Sequence, residues 1–131
     1  MAPGRSEAGV GTMSCVLVVE DEALIAVETA EALERHGFAV EIARSGELAA
    51  AKLRDGLKAD ILFTDINLAG TMDGATLARI ARDLRPDLIV IYTSGTVVGV
   101  AQPVAGSAFV PKPYSPEAVC ALLVRMAAVA A

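Results

Sequence analysis

The strongest constraint in this chain is a repeated arrangement in which a short apolar run ends directly in acidic residues. Val16–Val19 is a run of four strand formers followed by Glu20–Glu22, and Ile61–Thr64 is followed by Asp65. Runs this short and this apolar are typical of buried strands in a parallel sheet. Each acid would lie at the carboxyl end of its strand, where open α/β sheets form ligand sites. Taken alone, Asp65 fits a loop or helix-capping aspartate equally well, so the other landmarks decide.

Strand and helix signals alternate along the rest of the chain. The pattern predicts strands over 16–19, 38–43, 61–64, 88–93 and 108–110, and helices over 23–36, 45–57, from 74 onward and from 116 onward. Residues 96–107 mix valines with Gly99, Pro103 and Gly106, which predicts at best a short or irregular fourth helix. This βα repetition predicts an α/β fold with one doubly wound, five-stranded parallel sheet and helices on both faces.

Helical periodicity assigns a face to each apolar side chain. The predicted inward residues of the middle helices are Leu48, Leu53, Leu77, Ile80, Ala81 and Leu84, and those of the last helix are Val119, Leu122, Leu123 and Met126. Ser45 and Ser115 are the predicted N-caps of the second and last helices. Leu24 falls on the polar arc of the first helix and is predicted to be exposed.

Composition excludes several classes of protein. A length of 131 residues predicts one domain, and we expect a flexible leader over 1–14 and a folded domain over 15–131. The net charge of −5 argues against a nucleic-acid binder. No signal peptide or membrane-length apolar stretch is visible, so we expect a cytoplasmic protein that does not bind membranes. Cys15 and Cys120 lie far apart in sequence and are predicted to be reduced thiols of the core.

Five polar residues each follow a predicted strand and should therefore meet at one edge of the sheet. They are Glu20, Asp21, Asp65, Ser94 and Lys112. Three carboxylates in one cleft repel one another unless a cation neutralises them. Oxygen ligands with room for water suit Mg²⁺. Each residue singly is more often a solvated loop charge, but several coincidences at strand ends favour a site.

Together these motifs resemble a response-regulator receiver domain of two-component signalling, of the stand-alone type. The residues that carry the resemblance are Val18–Glu22, Phe63–Asn67 with Met72–Gly74, Thr93–Gly95 and Phe109–Pro113. The resemblance covers about residues 15–129 and implies the flavodoxin-like (βα)5 fold. It also implies that the chain accepts a phosphoryl group and is not a free-standing enzyme, because it catalyses only its own phosphorylation and dephosphorylation.

The resemblance implies a role for each acidic residue. Asp65 would be the phosphoacceptor. Asp21 and Asp65 would bind Mg²⁺ directly, together with the backbone carbonyl of Asn67. Glu20 would act on the metal mainly through water.

The resemblance also implies a switch. Ser94 would be the hydroxyl that reaches the phosphoryl group, with Thr93 as the less favoured candidate. Lys112 would pair with a phosphate oxygen, and the Lys112–Pro113 peptide would be cis. Phe109 matches the aromatic residue that moves inward on activation.

The implied phosphoryl donor is a sensor histidine kinase or a histidine phosphotransfer protein, and we predict that Leu24 and Ile25 contact it. The output would leave through the last strand and helix to a downstream protein or a second copy of this chain. The alternative from another class is a degenerate, unphosphorylated receiver that serves as an interaction module. A flavin- or Mg²⁺-dependent enzyme on the same fold, such as a phosphatase, is a further alternative. The loop after Asp65 is one residue longer than the common form, and the segment between Gly95 and Phe109 is about one helical turn short.

Overall fold

The computed structural model describes residues 14–96 and 99–130, which form one parallel sheet with helices on both faces. The strands are β1 (Cys15–Val19), β2 (Ala39–Ala43), β3 (Ile61–Asp65), β4 (Ile89–Ser94) and β5 (Ala108–Pro111). The helices are α1 (Ala23–Arg35), α2 (Gly46–Arg54), α3 (Gly74–Leu84) and α4 (Pro116–Ala130). The strand order is β2-β1-β3-β4-β5, and every neighbouring pair is parallel. This is the predicted flavodoxin-like, doubly wound α/β fold.

Two apolar clusters hold the helices to the sheet. On one face α2 and α3 pack over Leu17, Leu62 and Val90, and on the other α1 and α4 pack over Val18 and Phe63. Residues alternate between the two faces along each strand, and both faces are covered, so β1 and the first three residues of β3 are apolar. The central strands therefore cannot move without disturbing both clusters.

Serine caps and a glycine set the ends of several helices, and one predicted helix boundary is wrong. Oγ of Ser45 accepts a hydrogen bond from the Leu48 amide at 3.0 Å, as expected of an N-cap. Oγ of Ser115 does the same for the Ala118 amide at 3.3 Å. The helix predicted to reach residue 57 ends at Arg54, because Gly56 adopts a φ of 107° that a continuing helix excludes.

Two leucines that were predicted to face inward are exposed instead. Leu48 is 55% exposed and Leu84 is 42% exposed. In α2 the buried arc is set by the small residues Ala49 and Ala50, and in α3 by Ala78 and Ala81. Small side chains let these helices lie close to the sheet, and the leucines beside those arcs turn outward.

The connection between β4 and β5 contains no helix in its described parts, 95–96 and 99–107. Pro103 lacks an N–H and disfavours helical geometry in the residue before it, and Gln102 has a φ of 53°. Val100 and Val104 pack against the α2–α3 face, and the Val104 amide donates to the Tyr92 hydroxyl at 3.1 Å. The expected irregular fourth element is thus a loop tied to β4.

Other predictions concern the chain ends and the cysteines. Of the predicted leader, residues 1–13 lie outside the described residues, and the Ser14 carbonyl accepts a hydrogen bond from the Ala39 amide at 2.9 Å. Cys120 is buried, Cys15 is half-buried, and both are free thiols. Among the described residues, no helix has the length and apolarity needed to cross a bilayer.

Candidate functional site

The predicted strand-end residues do meet at one edge of the sheet. Glu20 directly follows β1, Asp65 ends β3, Ser94 ends β4 and Lys112 directly follows β5. β3 lies between β1 and β4, with the Asp65 backbone opposite that of Thr93. The parallel sheet therefore gathers side chains that are up to 92 residues apart in sequence, from Glu20 to Lys112.

Three carboxylates form the acidic part of this site. One oxygen each from Glu20, Asp21 and Asp65 lies within 4.8 Å of the others. Glu20 and Asp65 are buried, and Asp21 is half-buried. Clustered carboxylates in a poorly solvated place favour a bound cation. The donor set, made only of oxygen atoms, fits a hard divalent ion.

Lys112 supplies the positive charge of the site. Its Nζ lies 2.7 Å from Oδ2 of Asp65 and 2.9 Å from Oε1 of Glu20. Burial favours the neutral amine, but hydrogen bonds to the two carboxylates outweigh burial and raise the pKa of Lys112. Burial also raises the pKa of the Glu20 carboxyl, and the hydrogen bond from Lys112 opposes that shift. The lysine is therefore held as an ammonium ion between two acids.

The chain around Lys112 fixes its position. Its amide donates to the Ser94 carbonyl at 2.9 Å, which extends the ladder between β4 and β5. The Lys112–Pro113 peptide is cis. Tyr114 then packs edge-on against the Phe63 ring at 5.4 Å, and its hydroxyl lies 2.9 Å from Oγ1 of Thr29. Tyr114 and Thr29 were not singled out from the sequence, since only the fold brings them together.

The loop from Ile66 to Asp73 is shaped by contacts to Asp65 and closed by Gly74. The Asn67 amide donates to Oδ1 of Asp65 at 3.0 Å, and the Gly74 amide donates to the Ile66 carbonyl at 2.8 Å. A Cβ atom at Gly74 would collide with the Asp65 carbonyl oxygen. Only glycine therefore permits this close approach of α3 to the end of β3.

Two side chains outside the predicted set also hold the site. Glu47 of α2 accepts hydrogen bonds from the Thr71 amide at 2.9 Å and the Thr71 hydroxyl at 2.7 Å. The hydrogen bond from the Thr71 hydroxyl is the main cause that lowers the pKa of Glu47. Nη2 of Arg44 donates to the Asp21 carbonyl at 2.7 Å, and Oδ2 of Asp21 accepts from the Ala69 amide at 3.0 Å. The Glu47 contacts brace the loop after Asp65, and the Arg44 contact braces Asp21.

Ser94 and Thr93 are both buried but differ in their contacts. Oγ of Ser94 accepts from Nδ2 of Asn67 at 3.1 Å and from the Thr96 amide at 3.1 Å. It also lies 2.9 Å from Oγ1 of Thr96. Oγ1 of Thr93 has no hydrogen-bond partner among the described residues. Ser94 thus joins the loop after Asp65 to the start of the β4–β5 connection.

The predicted contact residues lie on two sides of the site. Leu24 is 70% exposed. Ile25 lines a cavity of about 490 Å³ beside Lys112 and Tyr114. Phe109 is 39% exposed and lines a smaller cavity of about 250 Å³ beneath the helix-free connection. The first cavity opens beside the ammonium group, whereas the second lies on the far face of β5.

Comparison with known proteins gives the same picture. The family model of the response regulator receiver domain matches residues 16–124. The chain is 35% identical over 105 residues to the sensor kinase CckA of Brucella abortus, and this match covers 76% of the chain and 11% of that protein. It is 38% identical over 88 residues to protein-glutamate methylesterase/protein-glutamine glutaminase 3 of Rhodospirillum rubrum, covering 66% of the chain and 23% of that protein. The chain thus spans less than a quarter of either relative.

Solved structures of receiver domains superimpose on this chain. A response regulator receiver protein from Sinorhizobium medicae superimposes with a TM-score of 0.86 at 26% identity, covering 91% of this chain and 98% of that one. The receiver domain of the hybrid histidine kinase CckA superimposes with a TM-score of 0.76 at 27% identity, covering 86% and 98%. The chain belongs to the response regulator receiver domains of two-component systems.

Proposed function

We propose that this chain is the phosphoacceptor in a two-component phosphorelay, with Asp65 as the acceptor. The observation that carries the proposal is the Asp65 carboxylate, buried at a strand end against Lys112 and beside two further acids. An oxygen of Asp65 would attack the phosphorus of a phosphohistidine on a sensor kinase or phosphotransfer protein. A P–O bond forms, the P–N bond breaks, and the imidazole leaves.

The residues around Asp65 have distinct tasks in this reaction. Phosphoryl transfer depends mainly on positioning and on neutralising the charge of the equatorial oxygens. Lys112 would shift from pairing the carboxylates to pairing a phosphoryl oxygen. The Asn67 amide, which already donates to Oδ1 of Asp65, fixes the orientation of the nucleophile. The same groups would later serve hydrolysis of the acyl phosphate, so the chain acts only on its own phosphorylation state.

The acidic cluster fits Mg²⁺, and we propose which groups would hold it. Asp21 and Asp65 would contribute carboxylate oxygens, Asn67 its backbone carbonyl, and Glu20 would act through water. When bound, the ion supplies positive charge that offsets both the clustered carboxylates and the transferred phosphoryl group. Asp21 is already oriented by the Ala69 amide and by Arg44.

Ser94 is the proposed link to the output. Its hydroxyl has its hydrogen-bonding capacity filled by Asn67 and Thr96. To donate to a phosphoryl oxygen, it must give up the Thr96 hydroxyl. That exchange would shift the start of the 95–107 connection and the nearby Phe109. The rearranged surface of β5 and α4 would be read by a downstream protein or by a second copy of this chain.

Acetyl phosphate labelling tests the proposal. The protein is incubated with acetyl phosphate and Mg²⁺, and its intact mass is recorded. Wild type and Asp83→Asn, a matched exposed control on α3, should each gain one phosphate, and Asp65→Asn should gain none. Chelation of Mg²⁺ should abolish the gain. Labelling of Asp65→Asn would move the acceptor elsewhere, and an unlabelled wild type would favour the degenerate receiver instead.

A further inference from the structure

A groove lies at the end of the sheet opposite the acidic cluster. Leu88 and Ile89 lead into β4, and Gly106 precedes β5, so both mark the amino ends of parallel strands. The groove has a volume of about 520 Å³ and runs between the last turn of α3 and the part of α4 from Leu122 to Met126. Its apolar lining comes from Pro86, Leu88, Ile89, Leu122 and Met126. Because Gly106 has no side chain, the groove stays open along that side.

Two arginines border this apolar floor. They are Arg82 of α3 and Arg125 of α4, and neither forms an ion pair among residues 14–96 and 99–130. Nε of Arg82 is buried and has no acceptor in that part of the chain. Asp87, which is exposed, is the acidic residue in the lining. The groove is therefore net positive, although the whole chain carries a charge of −5.

An unpaired buried guanidinium N–H is unfavourable, and an incoming acceptor would relieve it. Guanidinium groups bind carboxylates through paired hydrogen bonds, and the apolar floor provides area for aliphatic or aromatic anchors. A small anion would leave that floor uncovered. A segment that carries apolar residues on one side and carboxylates beside them would satisfy both features at once.

We propose that this groove binds an acidic, amphipathic segment of a partner protein. The apolar residues of the segment would lie on Ile89, Leu122 and Met126, which are partly exposed. Its carboxylates would pair with Arg82 and Arg125. This surface lies at the other end of the sheet from Asp65.

A pair of synthetic peptides tests the proposal. One is a fluorescein-labelled helix-forming peptide of Leu and Glu with the leucines along one face, and the other has Lys in place of each Glu. Binding is followed by fluorescence anisotropy, and its location by amide chemical shifts. The Glu peptide should bind with shifts centred on Leu88, Gly106 and Leu122, and added salt should weaken it. The Lys peptide should not bind.

The variant Arg82→Gln/Arg125→Gln should bind the Glu peptide at least about tenfold more weakly. Arg54→Gln/Arg79→Gln, which removes the same charge from exposed sites outside the groove, should bind as wild type does. Arg125→Gln alone should lose less affinity for the Glu peptide, and it takes the place of the double variant in this test if the double variant fails to fold. Equal affinity in the two double variants, shifts outside the groove, or no saturable binding would each overturn the proposal. So would dilution-dependent shifts at the groove in the free protein, because the occupant would then be a second copy of this chain.

Discussion

The Nζ atom of Lys112 lies 2.7 Å from Oδ2 of Asp65 and 2.9 Å from Oε1 of Glu20. One ammonium group thus bridges two buried carboxylates from different strands. Without it, β1 and β3 would each end in an uncompensated acid. Lys112 therefore stabilises the folded protein before any phosphoryl group arrives, in addition to its proposed role in the reaction.

Lys112→Ala should separate these two roles. Removing one partner of a buried ion pair costs about 3 kcal/mol, so the free energy of unfolding should fall by that order without divalent ions. Mg²⁺ should restore more stability to this variant than to the exposed control Lys58→Ala, because it neutralises the same carboxylates. Urea unfolding with and without Mg²⁺ measures both effects. Outright loss of Mg²⁺ affinity in Lys112→Ala would contradict this account.

Thr93→Val and Ser94→Ala should have opposite effects on stability. The Thr93 hydroxyl is buried and has no partner within residues 14–96 and 99–130, so a valine of similar shape should leave the free energy of unfolding unchanged or raise it by about 1 kcal/mol. Ser94→Ala removes the acceptor used by Asn67 and Thr96 and should lower the free energy of unfolding by about 1–2 kcal/mol.

The same two variants identify the switch hydroxyl. With beryllofluoride as the phosphoryl mimic, hydrogen exchange over residues 95–107 should change in wild type and in Thr93→Val. In Ser94→Ala that response should be largely lost, although acetyl phosphate still labels Asp65. A normal response in Ser94→Ala, or a lost one in Thr93→Val, would assign the switch to the other hydroxyl.

Glu47 should make stability depend on pH. Its pKa in the folded protein is depressed below the ordinary value of 4.5, chiefly by the hydrogen bond from Thr71. A carboxyl group whose pKa is lowered by folding stabilises the protein at pH values above its pKa in the unfolded chain. This stabilisation is lost as the pH falls through the pKa of the group in the folded protein. Glu47→Gln should therefore melt below wild type at neutral pH, and the difference between the two melting temperatures should close as the pH falls below the ordinary value of 4.5. A gap that persists in acid, or an equal gap for the exposed control Glu31→Gln, would show that the Thr71 contact is not its source.

Leu24 should matter for the protein donor and not for a small one. It is exposed on the first turn of α1, next to the cavity that opens beside Lys112. Leu24→Asp should slow transfer from a cognate phosphohistidine donor by about tenfold, as expected when one apolar anchor is lost. Labelling by acetyl phosphate should be unchanged. Leu84→Asp, at another exposed leucine on the opposite face of the sheet, is the matched control. Equal slowing of transfer from the phosphohistidine donor in Leu24→Asp and Leu84→Asp would refute the role of Leu24.

Much of the fold was readable from the sequence because its signals are local. Runs such as Val16–Val19 are too short and too apolar for anything but buried strands. Ser45 and Ser115 act on amides three residues away, so their caps were predicted correctly. Strand ends of a parallel sheet share one edge, which placed Glu20, Asp65 and Lys112 together without coordinates.

The features that sequence reasoning missed depend on contacts between distant residues. The Thr29 and Tyr114 hydroxyls are 85 residues apart, and Glu47 and Thr71 are 24 apart. No local pattern pairs them. The exposed Leu48 and Leu84 have a similar origin, because several alanines lie beside each leucine and the tighter packing of the small residues decided which arc faces the sheet.

Gly74 has a consequence for how this sequence can vary. Its α-carbon approaches the Asp65 carbonyl so closely that no side chain fits between them. Any chain that keeps this backbone path must keep a glycine here, although the residue touches neither a phosphoryl group nor a metal. A survey of natural variants would then find Gly74 as invariant as Asp65, for a reason of space and not of reactivity. Of the intervening loop residues, Asn67 and Thr71 are held by hydrogen bonds to Ser94 and Glu47. The exposed Ala69 contributes only its amide, so its side chain would be free to differ.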